Sequence, residues 1–220
     1  MPVFEELHVY EEAERRSAAM NMAIDEALFE TATTPSLRFY GWARPSLSFG
    51  YFGAFADVAD ELATRDVVRR WTGGGIVLHG SDLTYSVILP RRASEPQASS
   101  PVTYSQIHGA IEHALSPHVR VELAPADAPK LSPSCFANPV RADVLADGRK
   151  IAGAAQRRTR AGLLHQGSIQ LETLPTGFRQ AFAAALSPRP EWRAFPERVI
   201  RRAGELAERK YATDAWLRQR

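Results

Sequence analysis

The chain has 220 residues, 45% of them hydrophobic and 24% charged, with a formal net charge of +2. That length suits one globular domain, and that composition excludes both a disordered chain and a membrane-embedded one. A single cysteine rules out an internal disulfide, and no run approaches the roughly 18–20 apolar residues of a membrane helix. Met1–Glu6 has neither the basic nor the apolar region of a secretory leader, so a reducing, cytoplasmic setting is expected.

Ser17 opens the first periodic segment. Met20, Ile24, Ala27 and Leu28 recur at spacings of three and four, which predicts an amphipathic helix over 17–32. Leu37–Tyr40 and Leu47–Phe52 alternate as strands do, with Gly41 and Pro45 turning the chain between them. A short helix is expected over Asp57–Asp66, with Val58 and Leu62 facing inward, and then a brief strand at Val67–Arg70. Ile76–Leu78 and Thr84–Leu89 read as strands that Gly80-Ser81-Asp82 would join as a hairpin. Residues 91–101 form a polar, proline-bearing loop, and 102–116 a helix with Ile107, Ile111 and Leu115 on one face. Ala124–Pro139 holds prolines at 125, 129, 133 and 139 without periodicity. Loops of that length are mostly functional or disordered. Val140–Ala146, Lys150–Arg157 and Leu163–Leu171 read as strands, the first two joined by the type I′ signal Asp147-Gly148. Helical segments at 175–186 and 195–210 follow. Helices interrupt hairpins here rather than alternating singly with strands. The pattern therefore predicts an α/β (α+β) fold, a mixed β-sheet flanked by helices, in one domain over 1–220 whose residues 190–220 form a helical extension packed on it.

Four segments carry chemistry. In Arg69-Arg70-Trp71-Thr72-Gly73-Gly74-Gly75-Ile76-Val77-Leu78-His79, three glycines let backbone amides approach a bound group and cradle an anion or polarise a carbonyl. Arg70 beside them is suited to a phosphate or carboxylate, although the segment is neither a Walker loop nor a dinucleotide fingerprint. In Asp147–Arg158, Lys150 follows a hairpin and precedes the small residues Ala152, Gly153, Ala154 and Ala155, which leave room for an acyl chain or head group. His165-Gln166-Gly167-Ser168 breaks an otherwise apolar strand with polar side chains. Cys135 lies in the proline-rich loop, where a nearby ammonium would favour its thiolate.

Together these segments resemble the biotin/lipoate protein ligase and octanoyltransferase family. The resemblance runs from Asn21-Met22-Ala23-Ile24-Asp25-Glu26 through Ser48–Phe52, the arginine and triple-glycine motif, Thr84–Ile88, Cys135-Phe136, Gly148–Gln156 and Gly167–Ile169 to Tyr211–Trp216. It implies the catalytic fold of that family and transfer of a medium-chain acyl group to one lysine of a lipoyl domain of 2-oxoacid dehydrogenases or of glycine-cleavage H protein. Two chemistries share the scaffold: ligases activate free lipoate with ATP and Mg2+, and transferases take octanoate from acyl carrier protein through a cysteine thioester, with no cofactor.

The Cys-Phe pair fifteen residues before Lys150 resembles the transferases whose cysteine precedes the lysine motif. Ligases typically carry Asn-Asp where this chain has Ala142-Asp143, and the accessory domain many of them need is not expected here. Departures from that subgroup matter too, the first being a chain shorter than its typical members. The uninterrupted glycines followed by Ile-Val-Leu-His are closer to ligases, and the family's Gly-Ser-Ala-Gln is Gly153-Ala154-Ala155-Gln156. The resemblance thus implies Cys135 and Lys150 as catalytic residues. It implies Arg70, Gly73, Gly74, Gly75, Ile76, Val77, Leu78, His79, Gly153, Ala154, Ala155, His165 and Gly167 as substrate-binding, with no metal site. An ATP-dependent lipoate ligase and a non-catalytic lipoate- or octanoate-binding protein are the alternatives. The arginine clusters at 69–70, 91–92, 157–160 and 201–202 are expected to dock acidic partner proteins. Nucleic-acid binding and membrane association are not expected, and the family implies a monomer.

Overall fold

Leu37 and Phe39 enter one buried cluster while Arg38 and Tyr40 turn to the opposite face, as a strand's period of two requires. The computed structural model describes residues 2–91, 98–129, 136 and 138–219. Its eight-stranded sheet contains β1 (Leu7–Glu11), β2 (Ser36–Tyr40), β6 (Leu83–Pro90), β7 (Val121–Leu123), β8 (Val144–Ala146), β9 (Arg149–Thr159), β10 (Gly162–Ile169) and β11 (Pro190–Arg193). Their order is β11-β1-β2-β6-β10-β9-β8-β7. The sheet is mixed, because β1 runs parallel to both its neighbours while the remaining pairs are antiparallel. A second sheet has three strands, with β3 (Ser46–Phe49) between β4 (Asp66–Arg69) and β5 (Val77–His79).

Helices cover both faces of the large sheet. Helix α2 (Ser100–Leu115) sets Ile107, Ile111 and Leu115 against Leu37, Phe39 and Val87, joined by Phe182 of α3 (Phe178–Leu186). On the other face α1 (Ala18–Thr31) and α4 (Glu197–Leu206) bury Ile24, Leu28, Val199 and Ala203 with Ile88 and Leu164. Each such aliphatic side chain contributes about 1.5–3 kcal/mol when shut away from water. Ser17 caps α1, its Oγ accepting the Met20 N–H at 3.3 Å. Among the described residues no helix is long and apolar enough to cross a membrane.

Several local expectations are corrected. Residues 50–52 leave the strand in a turn closed by the Gly53 N–H on the Gly50 carbonyl. Residues 55–63 form two 3-10 turns, which bury Val58 but leave Leu62 42% exposed. Gly80-Ser81-Asp82 joins no hairpin: β5 pairs with β3 in the small sheet and β6 belongs to the large one, so this turn is a crossover. Only Val144–Ala146 of the 140–146 segment is strand, because Ala142 adopts φ +67 and bends the chain beforehand. The segment from 190 begins as the edge strand β11, not as helix.

Arg69 and Arg70 are both buried, so this pair is no docking surface. Arg69 donates to the carbonyls of Tyr51, Gly53, Trp216 and Leu217, and Trp216 Nε1 donates back to the Arg69 carbonyl at 2.9 Å. This clasp fastens α5 (Asp214–Leu217) beside the small sheet.

Candidate functional site: a buried lysine beside a pocket

Lys150 begins from an unfavourable position for a cation, being only 6% exposed. Three residues on, Gly153 would ordinarily point to the other face of the strand. The register slips here, however: Val144 pairs with Ala152 while Leu145 pairs with Lys150, so β9 carries one extra residue. Such a bulge re-aims a side chain, and Lys150 folds back over Gly153. A Cβ on Gly153 would lie 2.2 Å from Lys150 Cε and 2.6 Å from Nζ, so any side chain there would push the lysine out of this position.

A buried ammonium is tolerated only when paired. Lys150 Nζ lies 2.8 Å from Asp143 Oδ2, and the Phe136 ring stands 5.3 Å from Nζ. Asp143 is itself fully buried and held by the Val140 N–H at 2.7 Å and the Tyr104 hydroxyl at 2.5 Å. Tyr104 also accepts the Ala154 N–H at 3.0 Å, capping the free edge of β9. Burial, with Asp143 beside it, raises the Tyr104 pKa strongly, so this phenol keeps its proton. His108 Nδ1 donates to the Ala142 carbonyl at 2.7 Å and holds the left-handed residue that aims Asp143.

The pocket next to the lysine is lined by Phe136, Gly153, Ala154, Ala155 and Gly167 on one side and by Met22, Trp42, Ser48, Val77 and His79 on the other. The glycine loop walls it indirectly. Arg70 donates to the carbonyls of Gly73 and Gly75, both at 2.9 Å, and to Ser48 Oγ at 2.7 Å. Gly74 takes φ +87, and a Cβ there would press on Arg70 and on Ala155. Arg70 therefore fixes the loop from within.

His79 continues this network. Its Nε2 lies 2.7 Å from Ser48 Oγ and its Nδ1 2.8 Å from Asp82 Oδ2. Trp42 stacks on the imidazole at 4.0 Å and donates through Nε1 to Thr84 Oγ1 at 2.7 Å. Burial lowers the His79 pKa despite Asp82, while donors from His79, Ser168 and the Gly80 N–H outweigh burial and keep the Asp82 pKa low.

A third network ties the pocket wall to α1. Asp25 accepts from Arg38, Tyr40, Ser86 and Gln166, and Gln166 Oε1 accepts from Thr72 beside the glycine loop at 2.7 Å.

The residues singled out in the sequence divide accordingly. Arg70, Val77, His79, Gly153, Ala154, Ala155 and Gly167 line this pocket, while Lys150 does not line it but packs over Gly153, paired with Asp143 and beside Phe136. Gly73, Gly74, Gly75 and Ile76 do not line it, and Leu78 points outward. His165 faces the α2 side of the sheet, between Tyr85 Oη at 3.2 Å and Gln156 Nε2 at 3.1 Å, and does not line the pocket. Burial, with His108 nearby, pushes its pKa well below the usual range. Cys135 lies outside the described residues. Sequence reasoning missed Asp143, Tyr104, Ser48 and Asp82. A usable signal existed for the α1 network, since Asn21 and Asp25 are polar residues four apart on the apolar face of that helix.

Comparison with known proteins agrees with this architecture. Octanoyltransferase LipM of Oceanobacillus iheyensis is 36% identical over 167 residues, which cover 71% of this chain and 61% of that protein. Octanoyltransferase LipM of Geobacillus kaustophilus is 37% identical over 176 residues, covering 70% and 62%. The chain thus spans 61–62% of the length of these two relatives. Two solved structures share the fold. One is lipoate-protein ligase A bound with ATP, with a TM-score of 0.75, 21% identity and coverage of 99% of this chain and 98% of that one. The other, from Thermoplasma acidophilum, is a bi-partite lipoate protein ligase studied with its E2 lipoyl domain, with a TM-score of 0.69, 20% identity and coverage of 97% and 96%. The model of the lipoyl protein ligase A/B catalytic domain matches residues 17–209, and the chain belongs to that family.

Proposed function

We propose that this chain transfers an octanoyl or lipoyl group from acyl carrier protein to a lysine of a lipoyl domain or of glycine-cleavage H protein, through a thioester on Cys135. The observation that carries the reading is the Lys150–Asp143 pair, set beside an apolar pocket floored by Gly153 and Ala155 and bordered by Phe136. A fixed ammonium at that point serves an acyl-transfer centre in two ways. It favours a neighbouring thiolate, and it stabilises negative charge developing on the carbonyl oxygen. Similarity to octanoyltransferases supports the same assignment.

In the first step the Cys135 thiolate attacks the carbonyl of the donor thioester and expels the carrier thiol. The acceptor lysine, arriving as a free amine, then attacks the acyl-enzyme and forms the amide, returning Cys135. Met22, Val77, Ala154, Ala155 and Gly167 hold the chain, while Arg70 and His79 keep the wall behind it rigid. The reading needs no cofactor.

Ligase chemistry would require ATP and magnesium. Asp143 is the carboxylate beside the lysine, and its oxygens already take Lys150, Tyr104 and the Val140 N–H. A magnesium ion there would have to share oxygens already committed to the lysine, the phenol and the Val140 amide. The discriminating experiment offers a lipoyl domain together with either octanoyl-acyl carrier protein or free lipoate with ATP. The expected result is modification from the first donor, abolished in Cys135→Ala. Pyrophosphate release from the second, undiminished in Cys135→Ala, would select the ligase instead.

A further inference from the structure

Ser48, His79 and Asp82 form a chain that the transfer reaction uses only as a rigid wall, with no chemical step assigned to it. Ser48 Oγ lies 2.7 Å from His79 Nε2, and His79 Nδ1 lies 2.8 Å from Asp82 Oδ2. The roles along it are fixed by chemistry. An ionised carboxylate only accepts, so Nδ1 carries the imidazole proton, Nε2 is left as the acceptor, and the Ser48 hydroxyl donates to it. Asp82 is kept ionised and oriented by the Ser168 hydroxyl at 2.7 Å, the Thr84 hydroxyl at 2.9 Å and the Gly80 N–H at 3.0 Å. Burial, the largest influence on His79, keeps the imidazole neutral, so Nε2 holds a free lone pair toward Ser48. Trp42 lies flat on the ring at 4.0 Å and 21° and fixes its plane.

Two further features separate this cluster from an ordinary buried hydrogen-bond network. Arg70 Nη1 donates to Ser48 Oγ at 2.7 Å, which favours negative charge on that oxygen. Ser48 and His79 also line the same pocket as Gly153 and Ala155, which puts the pair at the wall of the space where an acyl group would lie under the proposed function. A nucleophile, a base held by a third group and a charge-stabilising donor on one cavity are recognised by their geometry, whatever their order in the chain.

We propose that Ser48 is a second acyl-accepting nucleophile in this pocket, activated by His79 and Asp82, which gives the chain a hydrolase activity toward straight-chain acyl thioesters and esters. Ser48 Oγ attacks the acyl carbonyl as its proton passes to His79 Nε2. The carbonyl–sulfur bond breaks, and the departing thiolate takes that proton from His79, leaving the acyl group esterified to Ser48. Water, deprotonated by His79, then attacks the ester and releases the carboxylic acid, while the serine oxygen recovers its proton. Water is the sole co-reactant, and no redox change occurs. The activity is independent of the Cys135 reaction and stands or falls separately.

The test uses the full chain carrying Cys135→Ala, so that no thiol competes, with S-octanoyl-N-acetylcysteamine as substrate. Octanoate release above the buffer rate is expected, with an octanoyl adduct mapped by peptide mass spectrometry to Ser48 and blocked by a fluorophosphonate probe. Ser48→Ala and His79→Ala in that background should each lower the rate by roughly 100-fold or more. No release and no adduct in Cys135→Ala, whose serine is native, would overturn the proposal. So would a rate that Ser48→Ala leaves unchanged.

Discussion

Lys150 Nζ and Asp143 Oδ2 stand 2.8 Å apart, and both side chains are closed off from solvent. Breaking such a pair from one side leaves an uncompensated buried charge, which costs about 3–5 kcal/mol. Asp143→Ala should therefore lower the unfolding free energy by about that amount in urea titrations and also abolish acyl transfer. A double variant, Asp143→Asn with Lys150→Met, should recover most of the stability and none of the activity. If Asp143→Ala unfolded at the parent's urea midpoint, the pair would not be the buried contact described.

Gly153→Ala tests the same lysine from below. The added Cβ would sit 2.2 Å from Lys150 Cε, and Cε belongs to a flexible side chain that can swing away. Transfer should drop by roughly 100-fold, because displacing a catalytic group by about 1 Å costs that much. Stability should change less than in Asp143→Ala. Steady-state kinetics at saturating donor would reveal it as a loss in kcat.

How much of this was legible in the sequence depends on whether the signal was local. Asp147 and Gly148 take φ +49 and +74, as the type I′ reading required, and the long alternating strands around them follow. Strand β1 and its partner β11 were missed because their parallel pairing joins residues far apart and leaves no turn between them. Gly80–Asp82 misled for the opposite reason, since its composition suits a hairpin and a crossover equally. Asp82 decides the matter by accepting from His79, Thr84 and Ser168. Arg69 and Arg70 looked like surface charge, yet both are buried, Arg69 against carbonyls of distant turns and Arg70 against those of the glycine loop that follows it. The bulge that turns Lys150 inward has no local signature, so the lysine was singled out by the hairpin, the small residues after it and family resemblance, while Asp143 was named only as a position of comparison and not as its partner.

Acid should loosen the fold through its buried histidines. Burial lowers the pKa of His108 to about 4, and burial with His108 nearby lowers that of His165 as well. An unfolded imidazole titrates near about 6.5. Between those values the unfolded chain binds protons that the folded chain refuses. Stability is thus fully present above about pH 6.5 and declines as the pH falls toward 4, by roughly 3 kcal/mol for His108 alone. Urea midpoints across that range would measure the slope. His108→Asn, which keeps a donor for the Ala142 carbonyl, should flatten it.

Partner docking should depend on salt. The β9–β10 hairpin presents Arg158 and Arg160 at the surface, with Arg157 half-buried over Tyr51 and Trp71. Acidic carrier and acceptor proteins would be steered toward such a patch, and steering weakens as the screening length shrinks from about 10 Å at 0.1 M salt to about 3 Å at 1 M. Arg160→Glu should reduce kcat/KM for the protein substrates several-fold, while stability stays within about 0.5 kcal/mol of the parent. Rates indifferent to both salt and this substitution would remove the patch from the account.

Passage of the acyl group through Cys135 under the influence of Lys150 is tested by the intact mass of the enzyme after incubation with octanoyl-acyl carrier protein. The predicted result is one octanoyl adduct, mapped to Cys135, discharged on adding a lipoyl domain, and lost in both Cys135→Ala and Lys150→Ala. An enzyme that modifies the lipoyl domain from that donor while never carrying an adduct on Cys135 would contradict it.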